Sequence, residues 1–230
     1  MCIRDSLIRL GDVYRTHVDR PELALASYEA AIEVERSNAP AIIGLEAIMA
    51  AHPSLAIGAG RVLEPAYVRT GAFAKLTSVL ETRRDATNDE DEKRALRLRL
   101  AEIASSELGD PSSAYTSLEA AFLDRPEDME LWDRLSGAAE ASGRHEDLAR
   151  AFTMAIEAGG LGERDVADLS ARIADVYDLV LGTPAEAESF HIRVLAQDAL
   201  AERPFLALKE LYTNQERWPE LQALYRKRIA

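Results

Sequence analysis

Apolar residues recur at helical spacing along almost the whole chain. Leu7, Leu10 and Tyr14 are three or four residues apart, and later segments repeat this spacing. No segment shows the strict apolar and polar alternation of a half-buried strand. We therefore predict an all-α fold. The predicted helices lie near residues 39–51, 90–108, 111–124, 127–142, 145–158, 163–181, 184–199, 202–214 and 217–229, with four more in the first 86 residues.

One kind of helix junction returns after 73 residues. Leu108-Gly109-Asp110-Pro111 is repeated as Leu181-Gly182-Thr183-Pro184, and Val18-Asp19-Arg20-Pro21 is a weaker copy upstream. In each copy a helical pattern ends, and proline, which suits a first helical turn, opens the next helix. The recurrence indicates an internal repeat.

A second kind of junction alternates with the first. Thr70-Gly71-Ala72-Phe73 is matched by Ser142-Gly143-Arg144-His145, and Gln215-Glu216-Arg217-Trp218 keeps the pattern without the glycine. Each 73-residue unit therefore holds two helical hairpins. A hairpin of this size cannot bury its apolar face alone, so we predict stacked antiparallel hairpins forming an α-solenoid.

The repeat predicts the organisation of the chain. The run DATNDEDE, residues 85–92, has no apolar periodicity and predicts a solvated acidic loop that separates an irregular first part from two regular units. The opening residues, with Cys2, resemble translated sequencing adapter, so we expect a fragment with a non-native leader. The predicted segments are a leader at 1–6, irregular hairpins at 7–86, an acidic loop at 87–92, and two-hairpin units at 93–160 and 161–230, the last one truncated.

The hairpins resemble tetratricopeptide repeats. Leu10-Gly11-Asp12-Val13-Tyr14 resembles the first-helix pattern of that family, and Ala24, Tyr28 and Ala31 resemble the small, aromatic, small series of its second helix. The alternation of two junctions is similar to long bacterial arrays. The copies differ from the family in one extra residue between the helices. The resemblance implies a right-handed superhelix that acts as a protein-interaction scaffold, with first helices lining a concave groove.

The charge balance narrows the class of partner. A formal net charge of −13 disfavours nucleic acid, whose binding needs lysine and arginine to neutralise phosphates. Ala39 to Gly60 is apolar, but Glu46 and Pro53 interrupt it, so we predict two buried helices and no membrane span. No secretory leader is visible, and the cytoplasm is the default expectation.

The residue types that carry chemistry are sparse. The single cysteine and four scattered histidines match no metal spacing, and no nucleophile or phosphate-loop motif occurs. We predict no catalysis, no metal and no cofactor. His191 takes the place of a core aromatic residue. Trp132 and Trp218 are candidates for binding anchors, but their positions inside apolar patterns favour packing in the core.

The candidate binding residues are arginine and acid pairs three positions apart on first helices. They are Arg9 with Asp12, Arg99 with Glu102, and Arg172 with Asp175. In the family resembled, first helices line the groove, and members that clamp a terminal carboxylate have asparagine at the position of these acids. The resemblance thus implies that the acids repel such a ligand, and that the partner is a basic or amide-rich protein segment. The alternative is that the pairs only bridge adjacent helices.

Three functional hypotheses remain open. The chain could be an interaction module that holds a peptide or partner helix in a groove. It could equally be a structural spacer within a longer repeat protein, or the non-catalytic part of an enzyme or regulator whose active domain lies elsewhere.

Overall fold

The computed structural model describes residues 3–229, which form thirteen α-helices and no strand within that range. The predicted all-α fold is confirmed. The helices are α1 (Ile3–Thr16), α2 (Pro21–Val34), α3 (Ala39–Ala51), α4 (Ala56–Thr70), α5 (Phe73–Ala86), α6 (Glu90–Ser106), α7 (Pro111–Asp124), α8 (Met129–Ser142), α9 (His145–Ala158), α10 (Glu163–Asp175), α11 (Pro184–Gln197), α12 (Glu202–Asn214) and α13 (Trp218–Ile229). Of the predicted leader, Met1 and Cys2 lie outside the described residues, and residues 3–6 belong to α1.

The first kind of junction has one backbone geometry in all three copies. Asp19, Gly109 and Gly182 have φ values of 54°, 61° and 67°, in the left-handed region. At each junction the amide of the following residue donates to a carbonyl six residues earlier; the pairs are Arg20 to Tyr14 at 2.9 Å, Asp110 to Ala104 at 2.8 Å, and Thr183 to Tyr177 at 2.8 Å. The sequence repeat therefore corresponds to a repeated junction.

The second kind of junction is one residue tighter. Gly71, Gly143 and Glu216 are left-handed, with φ values of 66°, 70° and 55°. The next amide donates to a carbonyl five residues earlier, as in the Schellman motif that ends many helices. The pairs are Ala72 to Tyr67 at 3.0 Å, Arg144 to Ala139 at 2.9 Å, and Arg217 to Tyr212 at 2.8 Å. Glu216 keeps the geometry although it is not glycine.

The chain divides into two compact units, residues 1–117 and 118–230, with the boundary inside α7. In the first unit, consecutive helices pack as antiparallel neighbours in two rows. We call α1, α3 and α5 the odd row: α1 contacts α3, and Lys75 of α5 bonds Glu46 of α3 at 2.9 Å. We call α2, α4 and α6 the even row: α2 contacts α4, and Arg61 of α4 bonds Glu92 of α6 at 3.0 Å.

An additional helix interrupts the repeat in the first unit. Gly109 and Gly143 are 34 residues apart, as are Gly182 and Glu216, whereas 52 residues separate Asp19 from Gly71. The 18 extra residues accommodate one more helix. Successive helices alternate between rows. The first helices of hairpins therefore lie in the odd row before the additional helix and in the even row after it.

The core of the first unit is centred on Tyr28, which is fully buried. A Cβ atom at Gly11 of α1 would lie 2.6 Å from the Tyr28 ring, and one at Gly44 of α3 would overlap the ring as well. Glycine at these two positions therefore allows α1 and α3 to close on the aromatic side chain.

The second unit has the same two-row arrangement. Its even row is α8, α10 and α12, and its odd row is α9, α11 and α13; α11 and α13 share the lining of one small pocket. The core contains the edge-to-face pair Phe122 and Phe152, with ring centroids 5.3 Å apart. Trp132 is fully buried, as predicted, and its indole N–H donates to the Pro126 carbonyl at 2.7 Å. Trp218 is 57% exposed, so its predicted core position is wrong.

The predicted helix at 163–181 is continuous but not uniform. It is α-helical from Glu163 to Asp175, and its last turn, Val176–Leu181, is a π-helical turn. The wider turn leaves Leu179 and Val180 exposed at 70% and 51%.

The predicted acidic loop at 87–92 is much shorter than expected. Only Thr87 to Asp89 lie between the helices, and residues 90–92 form the first turn of α6. The Asp89 side chain accepts from the amides of Asp91 and Glu92, at 3.0 and 3.2 Å. The acids begin a helix because carboxylates near a helix N-terminus accept hydrogen bonds from free amides and interact favourably with the positive end of the helix dipole.

Candidate functional site

One of the three predicted pairs forms as expected. In α6, Arg99 Nη1 donates to Glu102 Oε2 at 2.7 Å, and both side chains are exposed, at 38% and 58%. An exposed pair at this spacing stabilises a helix by only about 0.2–0.5 kcal/mol. These two groups therefore remain open to a partner.

The acid of the first pair has a different structural partner. Asp12 Oδ1 accepts a hydrogen bond from the Tyr28 hydroxyl at 2.7 Å, and the Arg15 guanidinium lies 3.9 Å away. Arg9 is exposed on the same helix. The bond to Tyr28 anchors Asp12 to the second helix of its own hairpin.

The third pair is split between neighbouring helices. Arg172 Nη2 donates to Asp133 of α8 at 2.7 Å, while Asp175 accepts from Arg203 of α12 at 3.0 Å. These four residues form a ladder of ion pairs across α8, α10 and α12, which we call the even-row ladder. Asp133 and Arg203 are exposed at 74% and 61%, whereas the side chains of Arg172 and Asp175 are less exposed, at 36% and 40%. The expected bond between Arg172 and Asp175 is thus replaced by bonds between helices.

The first two predicted pairs lie in different rows of the first unit. Arg9 and Asp12 are on α1, in the odd row, whereas Arg99 and Glu102 are on α6, in the even row. The additional helix places these two first helices in opposite rows. Equivalent positions in the repeat therefore do not share a face.

Partly buried charge clusters brace each unit. In the first, Glu46 accepts from Tyr67 and from Lys75, the latter at 2.9 Å. Burial opposes ionisation of Glu46, but the bonds from Lys75 and Tyr67 outweigh it and lower the pKa. Burial and the bond to Glu46 raise the pKa of Tyr67. The cluster ties α3, α4 and α5 together.

The second unit has a similar cluster around Glu188 of α11. Arg217 donates to both carboxylate oxygens, at 2.7 and 2.8 Å, and Tyr212 donates at 3.0 Å. The Arg217 bonds lower the pKa of Glu188, against the effect of burial. Burial and Glu188 raise the pKa of Tyr212 to about 12. Tyr67 and Tyr212 both stand four residues before a left-handed residue, so the two clusters occupy the same end of equivalent helices.

Grooves open between helices of the same row. In the first unit, a groove of about 360 Å³ between α3 and α5 is lined by Met49, Leu63, Val79 and the Glu46 cluster. In the second unit, a groove of about 470 Å³ lies between α9 and α11, beside the π-helical turn. We call this the α9–α11 groove. Glu146, Glu157 and Glu186 line it together with Met154, Tyr177 and Leu181.

The sequence did not indicate the α9–α11 groove. Glu146 and Glu186 are 40 residues apart and belong to different helices, so no local motif connects them.

Neither a metal-ligand cluster nor a membrane-spanning helix occurs within the described residues. Within residues 3–229, no three histidine, cysteine or acidic side chains converge as metal ligands. In the same range, no helix has the length and apolar character needed to cross a bilayer, and residues 39–60 are divided between α3, a 3₁₀ turn and α4.

The left-handed residues of the two alternating junctions, Gly109, Gly143 and Gly182, are 34 and 39 residues apart, so the chain is an array of stacked antiparallel helical hairpins of tetratricopeptide-like length. No family model and no curated protein matches the chain. Among solved structures, PilF from Pseudomonas aeruginosa is 16% identical, with 90% of this chain and 97% of that chain covered and a TM-score of 0.31. A tetratricopeptide repeat protein from Parabacteroides merdae is 13% identical, with coverage of 98% and 92% and a TM-score of 0.32.

Proposed function

We propose that this chain is a non-catalytic protein-interaction scaffold that binds a basic segment of a partner across the even row of the second unit. The observation that supports this is the even-row ladder. Asp133, Arg172, Asp175 and Arg203 lie on three successive even-row helices and remain accessible to solvent. Extended surfaces of this kind are what repeat proteins use for binding.

The ladder is suited to exchange of partners. An exposed ion pair contributes only about 0–1 kcal/mol, because water screens it and two long side chains are immobilised. A lysine or arginine of a partner can therefore replace Arg203 as the counter-ion of Asp175 at small cost. The net charge of −13 also attracts a basic segment from a distance.

The other predicted residues are secondary contacts in this proposal. Arg99 and Glu102 form an exposed pair on the even row of the first unit, where a peptide or partner helix can contact them. Arg9 and Asp12 lie on the odd row and would belong to a separate surface. A peptide with a free terminal carboxylate is not the expected ligand, since acids occupy the contact positions.

The alternative function is a structural spacer in a longer repeat protein, or the non-catalytic part of an enzyme or regulator. The ladder gives this alternative some support, because its bonds connect adjacent helices. Under this alternative the four residues hold α8, α10 and α12 in register and bind nothing else.

Peptide selection separates the two. Random peptides displayed on phage are selected against the full chain, and the selected sequences should be enriched in lysine and arginine. Asp133→Lys combined with Asp175→Lys should abolish their binding while helicity by circular dichroism stays near wild type. The control, Glu22→Lys with Glu81→Lys, makes the same charge change in the first unit and should retain binding. An absence of selected peptides, or an equal loss in the control, would support the spacer.

A further inference from the structure

The α9–α11 groove lies between helices of the odd row, whereas the ladder lies on the even row. The groove differs from the ladder in its excess of carboxylates. Glu146 and Glu157 come from α9, and Glu186 comes from the first turn of α11. All three are exposed at the rim. The one cation in the lining, Arg150, is bonded to Asp147 at 2.9 Å, so its charge is partly compensated outside the groove. The groove therefore presents excess negative charge.

Apolar and aromatic side chains line the groove together with its polar residues. Tyr177 and Leu181 come from the π-helical turn, and Met154, 50% exposed, comes from α9. The Tyr177 ring stacks on Phe190, with centroids 6.0 Å apart and an interplanar angle of 20°, which fixes its position. Burial raises the pKa of Tyr177, Glu186 and Glu146 add to that effect, and Arg150 opposes it, so carboxylates from both helices act on the same hydroxyl as Arg150.

The π-helical turn supplies Tyr177 and Leu181 to the groove lining. It is the only such turn in residues 3–229, and π-helical turns occur frequently at functional sites. The exposed Leu179 and Val180 of the same turn do not line the groove. Aromatic side chains are enriched among the residues that dominate protein-binding surfaces.

We infer that the α9–α11 groove binds an arginine side chain that a partner protein carries between apolar residues. Charge complementarity selects the occupant. A guanidinium is a planar cation that donates to several carboxylates and packs on aromatic rings, whereas an ammonium is a more strongly hydrated point charge. Glu146 and Glu186 would accept its hydrogen bonds, Tyr177 would contact its plane, and Met154 and Leu181 would contact the flanking apolar residues. The inference does not depend on the even-row ladder.

Two amidated peptides test the inference on the full chain. Acetyl-Gly-Leu-Arg-Leu-Gly-amide carries the guanidinium, and the same peptide with citrulline has its shape without the charge. Titration of nitrogen-15-labelled protein should give saturable shifts in the amides of residues 146–157 and 177–186. The arginine peptide should bind about tenfold more tightly than the citrulline peptide, and its affinity should fall as salt rises. Equal binding of the two peptides, or shifts spread over the whole acidic surface, would overturn the inference.

A matched pair of variants separates the groove from general acidity. Glu146→Gln with Glu186→Gln should weaken the arginine peptide about tenfold, since both carboxylates contact the charge. Glu130→Gln with Glu202→Gln makes the same charge change on even-row helices and should leave binding unchanged. An equal effect of both double variants contradicts a specific site, and equal affinity for a lysine peptide contradicts the arginine assignment. If a variant loses helicity, the comparison of the two peptides on the wild-type chain still decides.

Discussion

His191 Nε2 lies 2.7 Å from Asp178 Oδ2 in the second unit, and the His191 side chain is almost fully buried. His191 stands nine residues after the left-handed Gly182, and Tyr28 stands nine residues after the left-handed Asp19. Tyr28 also bonds an aspartate of the preceding helix, Asp12, at 2.7 Å. Two hairpins thus join their helices by the same kind of bond, made by different residues.

The bond predicts a stability cost for His191→Leu. Leucine fits this position in the repeat, since Leu118 occupies it nine residues after Gly109 and is buried. The substitution leaves the Asp178 carboxylate, whose side chain is only 20% exposed, without its partner. We expect a loss of about 1–2 kcal/mol in urea unfolding, because a partly buried acceptor without a partner keeps part of its desolvation cost.

The double variant His191→Leu with Asp178→Leu provides the comparison. It should recover part of the loss, because no unpaired carboxylate remains. A single variant as stable as wild type would mean that the bond contributes nothing.

The helices and their junctions could be predicted from sequence because the signals are local. Proline after a left-handed residue and helical apolar spacing place Gly109 and Gly182 correctly, and the bounds of α3, α7 and α9 agree with the predictions. The placement of His191 in the core is also confirmed. In each case the residues that decide the structure are close together in the chain.

The site was harder to predict because the row in which a helix lies depends on the number of helices that precede it. Asp12 and Glu102 match in the repeat, yet α1 and α6 lie in opposite rows because one additional helix precedes Gly71. The 18-residue excess was visible in the sequence and would have given this result. The π-helical turn and the ion pairs of Arg172 depend on packing between helices, which no local pattern records.

Replacement of glycine by alanine should have opposite effects at Gly44, which contacts Tyr28, and at Gly137, which does not. Gly44→Ala should destabilise the chain by about 1–3 kcal/mol, because the added methyl group overlaps the fully buried Tyr28 ring. Gly137→Ala, on an exposed face of α8 with nothing within 4 Å, should stabilise by about 0.5–1 kcal/mol. Thermal denaturation of both variants measures the contrast. Equal shifts would show that Tyr28 moves aside freely.

The left-handed Glu216 predicts a stabilising substitution. A side chain in this conformation brings Cβ close to the following carbonyl, at a cost of about 1–2 kcal/mol, and glycine removes that contact. Part of the gain is lost through the greater entropy of glycine in the unfolded chain, so Glu216→Gly should stabilise by about 0.5–1 kcal/mol. Glu210→Gly, inside α12, should instead destabilise by about 1 kcal/mol. A destabilised Glu216→Gly variant would show that the glutamate side chain itself supports the junction.

The Glu188 cluster predicts how stability depends on pH. Arg217 and Tyr212 lower the pKa of Glu188 below its unfolded value of about 4.3. The unfolded chain therefore binds the proton first as the pH falls. The stabilisation is fully present above the unfolded pKa and is lost as the pH falls through the folded value.

Glu188→Gln should remove that dependence. At pH 7 the variant should be less stable by about 1–3 kcal/mol, because Arg217 and Tyr212 lose a charged acceptor. Between pH 5 and about pH 3 the difference from wild type should shrink, since protonation takes the same charge from the wild-type cluster. Urea midpoints measured across this range for both proteins give the comparison. Glu210→Gln, an exposed carboxylate on α12, serves as the control and should run parallel to wild type. If the Glu188→Gln curve also stays parallel down to about pH 3, the cluster does not couple protonation to folding.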